Sequence, residues 1–309
     1  MKRFSLFLFS LLLAAPVFAA SLTSQASTSI PAETQQIIVI NYRQVNGSPG
    51  GLALKQRLMP QNLKDLEAAL KGVGIDPEHD VEMLTFASYR DGNMLRVIGI
   101  AQGSFSRTAV LKQLRAKKIQ RQAFQGNAIY PMANGMSMSF LDESSLLFGE
   151  TAAIKPALEV RDGAHQGVAG NARINELIGD VGDAPIWSVL DEQGTQVMMR
   201  GALGDASRLT DYDTIRKRLL GSMYTMDFGN NVDFDLSVLT SDSATAGTLS
   251  ALVKAGMLYK RTSATANEKL ALESTTVDSS GDQLKVHFKT DEKRFESLLH
   301  SDLFAAVSH

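Results

Sequence analysis

Cysteine is absent from all 309 residues. That excludes disulfides, a thiol nucleophile, thiolate-held zinc and a lipid anchor built on a cysteine. A chain of this length can form a core without such staples. Histidine is scarce: His79, His165, His287, His300 and His309 stand singly, and no His-Glu-x-x-His occurs. A Gly-x-Ser-x-Gly elbow is missing too; Gly135-Met136-Ser137-Met138-Ser139 fails at its last position and alternates like a strand. Gly47-Ser48-Pro49-Gly50-Gly51 lacks the lysine and the spacing of a phosphate loop. Past the N-terminus there is no apolar run long enough to span a membrane. These absences leave no catalytic, cofactor-binding or metal site residue to nominate, and the chain reads as non-enzymatic.

What is present starts with a secretory leader. Lys2 and Arg3 precede an apolar stretch over residues 4–15, and Val17-Phe18-Ala19 is a small-residue cleavage pattern. The expected mature chain begins at Ala20, in the periplasm or outside the cell, touching a membrane only through its leader. Without Lys2 and Arg3, 29 basic residues face 33 acidic ones, a net charge near −4. That balance argues against nucleic acid as a partner. The basic cluster from Lys112 to Arg121 reads as a solvated helix end, where cations suit the dipole.

The body is organised around residues 81–160. Strand formers over 81–89 meet Arg90-Asp91-Gly92-Asn93, a hairpin signal, and a return strand follows over 94–101. Ser106 caps a helix carrying Val110, Leu111 and Leu114 on one face. Strands over 128–132, 136–140 and 146–148 lead to a helix from Thr151. A similar order recurs: strand 223–228, turn, strand 232–239, helix 248–257, strands 270–277 and 283–289, helix 292–300. Gly92 to Gly229 is 137 positions, Thr108 to Ala246 is 138, and Asp142 to Asp278 is 136. Landmarks agreeing this closely indicate a tandem duplication. Residues 184–190 match the strand over 37–42, and Phe234 matches Ile98 as an inward residue.

The expected fold class is α+β, two tandem copies of an antiparallel sheet with helices packed on one face. The domains run 1–19 for the signal peptide, 20–35 for a flexible leader, 36–168 for the first α+β domain and 169–309 for its duplicate. Ile30-Pro31-Ala32-Glu33-Thr34, following a signal peptide and heading a two-copy body, resembles a family of exported bacterial proteins of unknown function. The resemblance implies an envelope or exported location and brings no catalytic residues.

Three side-chain groups merit weighing. Asp233 and Asp235 share a strand face, with Asp227 across the turn, and three carboxylates can hold a cation. The simpler reading makes them the wet complement of a buried Val232, Phe234, Leu236 and Val238. Met136, Met138, Met198 and Met199 can line an adaptable groove or fill a core, and Trp187 reads as packing. The leading function is therefore an exported envelope protein of binding or scaffolding type, acting through a sheet edge or the groove between the copies. The alternatives are a carrier of a small apolar or lipid-like molecule and a carboxylate-dependent hydrolase. The expected partner is a protein or a small apolar ligand.

Overall fold

The structure, a computed structural model, describes residues 22–58, 61–204 and 212–301. The expected leader over residues 1–19 and the expected start at Ala20 lie outside these residues. The first half runs α1 (Ser24–Ser27), β1 (Thr34–Asn41), α2 (Tyr42–Asn46), α3 (Pro49–Leu58), α4 (Gln61–Gly72), α5 (Pro77–Asp80), β2 (Val81–Asp91) and β3 (Met94–Gly103). It continues through α6 (Arg107–Ala116), β4 (Gln122–Phe124), β5 (Asn127–Pro131), β6 (Met136–Phe140), β7 (Ser145–Glu150), α7 (Thr151–Arg161) and α8 (Ala172–Asp180). The second half runs β8 (Ile186–Leu190), α9 (Glu192–Leu203), α10 (Tyr212–Arg216), β9 (Leu219–Asp227), β10 (Val232–Thr240) and α11 (Ser243–Ser263). It closes with α12 (Ala266–Glu273), β11 (Thr275–Ser280), β12 (Gln283–Thr290) and α13 (Glu292–Leu299).

The twelve strands of the described residues join one antiparallel sheet in the order β11-β12-β10-β9-β8-β1-β2-β3-β7-β6-β5-β4. The class is α+β. From β6 to β11 the order is palindromic about its middle, where β1 and β8 pair through Ile37↔Val189, Ile38↔Ser188 and Val39↔Trp187.

Helices cover both faces of the sheet, where the sequence reading placed them on one. The first face carries Ile37, Val39, Trp187 and Val189 beneath α1, α7 and α8. The second face carries Leu84, Ala101 and Phe148 beneath α4 and α6. Farther along it, Leu219, Val238 and Leu284 lie beneath α9, α10 and α11, and Val232 packs on α13. The reason is visible in the strands. Ile37-Ile38-Val39-Ile40 and Ile98-Gly99-Ile100-Ala101 are continuous apolar runs, the pattern of strands buried on both sides.

Local capping sets the helix starts. Ala109 N–H donates to Ser106 Oγ at 3.3 Å, as the sequence reading expected. Asp242 starts α11 by accepting from Thr245 N–H at 2.8 Å. Residues 270–277, read as a strand, divide instead into the end of α12 and the start of β11. Thr265 and Glu268 form a reciprocal capping box, Thr265 N–H donating to Glu268 Oε2 at 2.7 Å, which nucleates α12.

The segment read as a flexible leader is docked from Thr23 onward. Ala26 and Ile30 are fully buried. Val168 N–H donates to Ile30 O at 2.7 Å, and Thr34 Oγ1 donates to Pro31 O at 2.6 Å. The Ile30-to-Thr34 motif is therefore a bracket that ties the chain's entry to residues 167–168.

Following the register outward from the β1–β8 pair also corrects the expectation that Ile98 and Phe234 occupy matching inward positions. Ile98 pairs with Ala87 and Ala87 with Ile37; on the other side Asp235 pairs with Thr225 and Thr225 with Trp187. Ile98 therefore shares the first face with Ile37, as Asp235 shares it with Trp187, and Phe234 faces the opposite side. The β2–β3 turn holds two residues between Asp91 and Met94, whereas the β9–β10 connection separates Asp227 from Asp233. That difference changes the alternation and reverses the faces.

Candidate functional site

Apolar side chains fill the first face at the middle of the sheet. Ile37, Val39 and Val189 are fully buried and Trp187 is 1% exposed. Met138 and Met199 are core residues as well, at 0% and 1% exposed.

The three aspartates each have a separate partner. Asp233 accepts from Lys289 Nζ at 2.9 Å, Asp235 lies 2.8 Å from His287 Nδ1, and Asp227 accepts from Gly229 N–H at 2.8 Å. They stand separately partnered on the solvent face of β9, β10 and β12, and only Asp233 is held by a cationic lysine. Among the described residues no group of three His, Asp or Glu side chains is placed to hold a metal ion. His79 Nδ1 lies 2.8 Å from Asp76 Oδ2, a bond that raises the pKa of His79 and lowers that of Asp76. His165 stands 3.5 Å from Glu159.

A site of a different kind lies at one end of the sheet. Among the described residues β11 pairs on one side only, with β12. The connection is a two-residue turn, Gly281-Asp282, between the paired Ser280 and Gln283, with Gly281 at φ +59°. Positive φ at its first residue is the habit of a type II′ hairpin turn. The pair flanking such a turn exchanges both backbone hydrogen bonds, and bonding alternates from there. The N–H and C=O groups of Ser280, Asp278 and Thr276 therefore face β12, while those of Ser279 and Val277 face outward.

Natural sheets blunt their edges with charged side chains, lysine above all, with proline, with bulges or with very short strands. The opposite edge follows that rule, because β4 has three residues and is followed at once by Gln125, in the left-handed region with φ +47°. β11 has six residues, Thr-Thr-Val-Asp-Ser-Ser, with neither lysine nor proline, a single charge at Asp278 that stands opposite Lys285, and an unbroken register against β12.

Beside this edge runs a groove of about 440 Å³ between α11, α12 and β11. Met257, Leu258, Leu272 and Val277 supply its apolar walls. Leu258 and Tyr259, in the C-terminal part of the 21-residue α11, are 65% and 74% exposed. Arg261 bridges Glu273 at the groove margin. Lys254 lines the groove and makes no ion pair among the described residues. The sequence reading named a sheet edge as a binding route without locating it. The signal was there in the polar, lysine-free β11 beside an apolar helix end.

No helix of the described residues is long and apolar enough to cross a membrane. No family model matches the chain, and no curated protein does. Among solved structures, the chain is similar to TP0453 in its crystal form I, with a TM-score of 0.49 and 9% identity over 89% of this chain and 97% of that one. Crystal form III of the same protein gives a TM-score of 0.48 at 10% identity, covering 88% of this chain and 96% of that one.

Proposed function

We propose that this is an exported, non-enzymatic binding protein that captures an extended polypeptide segment by adding it as a strand to β11. The observation that carries the reading is the open β11 edge, free of lysine, proline and bulges, running beside an apolar groove. In strand addition, backbone hydrogen bonds supply affinity and pockets for alternate side chains supply specificity. Here Ser279 and Val277 offer the backbone groups, and the walls of Met257, Leu258 and Leu272 accept every second side chain of the incoming segment. Lys254 favours an acidic residue beside those apolar ones. Export is supported by the leader over residues 1–19, and the docked segment beginning at Thr23 leaves little free chain after a mature start at Ala20. Sequencing the N-terminus of the secreted protein tests that half of the reading; an intact Met1 would contradict it.

The binding half is tested with Ser279→Pro. Proline is tolerated where the N–H faces away from the sheet, so the variant keeps the β11–β12 ladder and loses an outward donor. A displayed library of random decapeptides is selected on the wild type. Peptides with alternating apolar residues are expected, binding the wild type and Ser279→Ala alike and Ser279→Pro at least about tenfold more weakly. Equal binding to all three proteins refutes strand addition at β11.

A further inference from the structure

The first half carries a second, unrelated recess beneath α6, with a volume of about 500 Å³. Its floor is apolar: Leu114 and Phe140 are buried, and Leu111, Ile119 and Tyr130 are half-buried around them. Its rim is cationic, formed by Arg107, Arg115 and Arg121. Arg107 is neutralised by Glu143 at 2.9 Å and lies over the Phe140 ring, 5.3 Å from the centroid. Arg115 and Arg121 have no acidic partner among the described residues.

The charge around this recess is segregated along the chain. Residues 92–141 contain seven Lys and Arg and no Asp or Glu, while the rest of the chain has 24 basic residues against 33 acidic. A helix end favouring cations accounts for Arg115 alone. Arg107 sits in the first turn of α6, where the dipole disfavours a cation, and Arg121 lies five residues beyond the helix end. What the three share is the recess. A concavity lined by one sign of charge over low-dielectric walls concentrates ions of the other sign.

From these observations we infer that the α6 recess binds a small amphipathic anion, an apolar body carrying one carboxylate or phosphate group. The head meets Arg115 and Arg121, whose planar guanidinium groups match either oxyanion in a bidentate fork. The body covers Leu111, Leu114, Ile119 and Phe140. An inorganic anion would leave that floor wet, and a neutral apolar molecule would leave two cations uncompensated. The volume falls within the range of small-molecule sites.

Calorimetric titration of the protein with decanoate and with decyl phosphate, both below micelle formation, tests the assignment. Decyltrimethylammonium is the mirror of opposite charge; acetate and inorganic phosphate are the heads alone. Two charge-matched variants are compared, Arg115→Gln with Arg121→Gln, and Lys112→Gln with Lys118→Gln, the second pair being outside the recess on the same segment. One or both decyl anions should bind, and the tighter of the two identifies the head. The cationic mirror and the free heads should bind at least about tenfold more weakly, and the arginine pair should weaken the decyl anion at least about tenfold while the lysine pair leaves it unchanged. Equal weakening by the two pairs reduces the effect to general surface potential and overturns the inference. So does equal binding of the cationic mirror. Sedimentation with anionic phosphatidylglycerol vesicles, in the absence of any binding by the monomeric anions, overturns it in favour of a bilayer surface.

Discussion

Gly99 in β3 is the position where one added methyl group has the most defined consequence. Gly99 pairs with Phe148 of β7, and the Phe148 ring lies across the space a Cβ would fill, closer than any carbon–carbon contact allows. Phe148 is 5% exposed and packs edge-on against Phe86, with centroids 5.9 Å apart and planes at 82°. In an open strand, glycine to alanine stabilises by about 0.5–1 kcal/mol, because glycine loses more conformational freedom on folding. Here Gly99→Ala must push the ring aside. Overpacking of this kind costs about 1–3 kcal/mol, and loosening the Phe86 contact costs about 0.5–1.5 kcal/mol more. The balance is a net loss of about 1–3 kcal/mol, read as a lower urea midpoint at unchanged slope by far-ultraviolet circular dichroism. A cycle with Phe148→Ala isolates the cause. Without the ring, Gly99→Ala should be neutral or mildly stabilising, giving a coupling of about 2 kcal/mol between the two sites. A parent-like or higher midpoint for Gly99→Ala alone would refute the packing argument.

Other outcomes follow from the same structure. Trp187→Ala removes the largest fully buried side chain beside the β1–β8 pair and should cost about 3–5 kcal/mol; a loss below about 1 kcal/mol would mean that the first face there is loosely packed. Ile30→Ala should cost about 2 kcal/mol or more, whereas no change in melting temperature would restore the flexible-leader reading. Asp242 accepts hydrogen bonds from Thr245 N–H, Ser241 and the Thr245 hydroxyl, which pull its pKa down to about 2. A depressed carboxylate contributes stability above its unfolded value of 3.8 that is lost as pH falls toward about 2. The melting-temperature gap between wild type and Asp242→Asn should therefore be widest above pH 4 and narrow toward pH 2; a gap independent of pH would contradict the shift.

Local signals in the sequence were reliable where the chemistry was local. The Asp91-Gly92 hairpin, the Ser106 cap and the alternation of Val232 to Val238 against Asp233 and Asp235 all reflect neighbours within a few residues. Thr265 and Glu268 also formed a legible cap, but the apolar Leu270-Ala271-Leu272 run matched strand and helix templates alike. Pairing of Val39 with Trp187 leaves no local trace, so the shared sheet was not legible. Which face a helix takes is decided by tertiary packing, and α13 settles on the second face with Phe228 and Val232, while α7 takes the first. The recess beneath α6 was half legible. Arg115 looked like a dipole-satisfying end, and only the fold brings Arg107 and Arg121 to the same rim.

The β1–β8 pair also sets a timetable. Ile40 and Ile186 are partners, yet they stand 146 positions apart in the chain. At roughly 5–20 residues per second of synthesis, about 7–30 s pass before β8 exists to meet β1. During that interval β1 can pair with β2 on one side, while its other edge presents Gln36-Ile37-Ile38-Val39-Ile40, uncharged and rich in β-branched residues. Such a segment, exposed, is a template for association between chains. Any nascent or truncated chain that stops short of residue 186 therefore carries an uncovered strand at what would have been the middle of its sheet, and the order in which the halves emerge governs whether the molecule assembles with itself or with its neighbours.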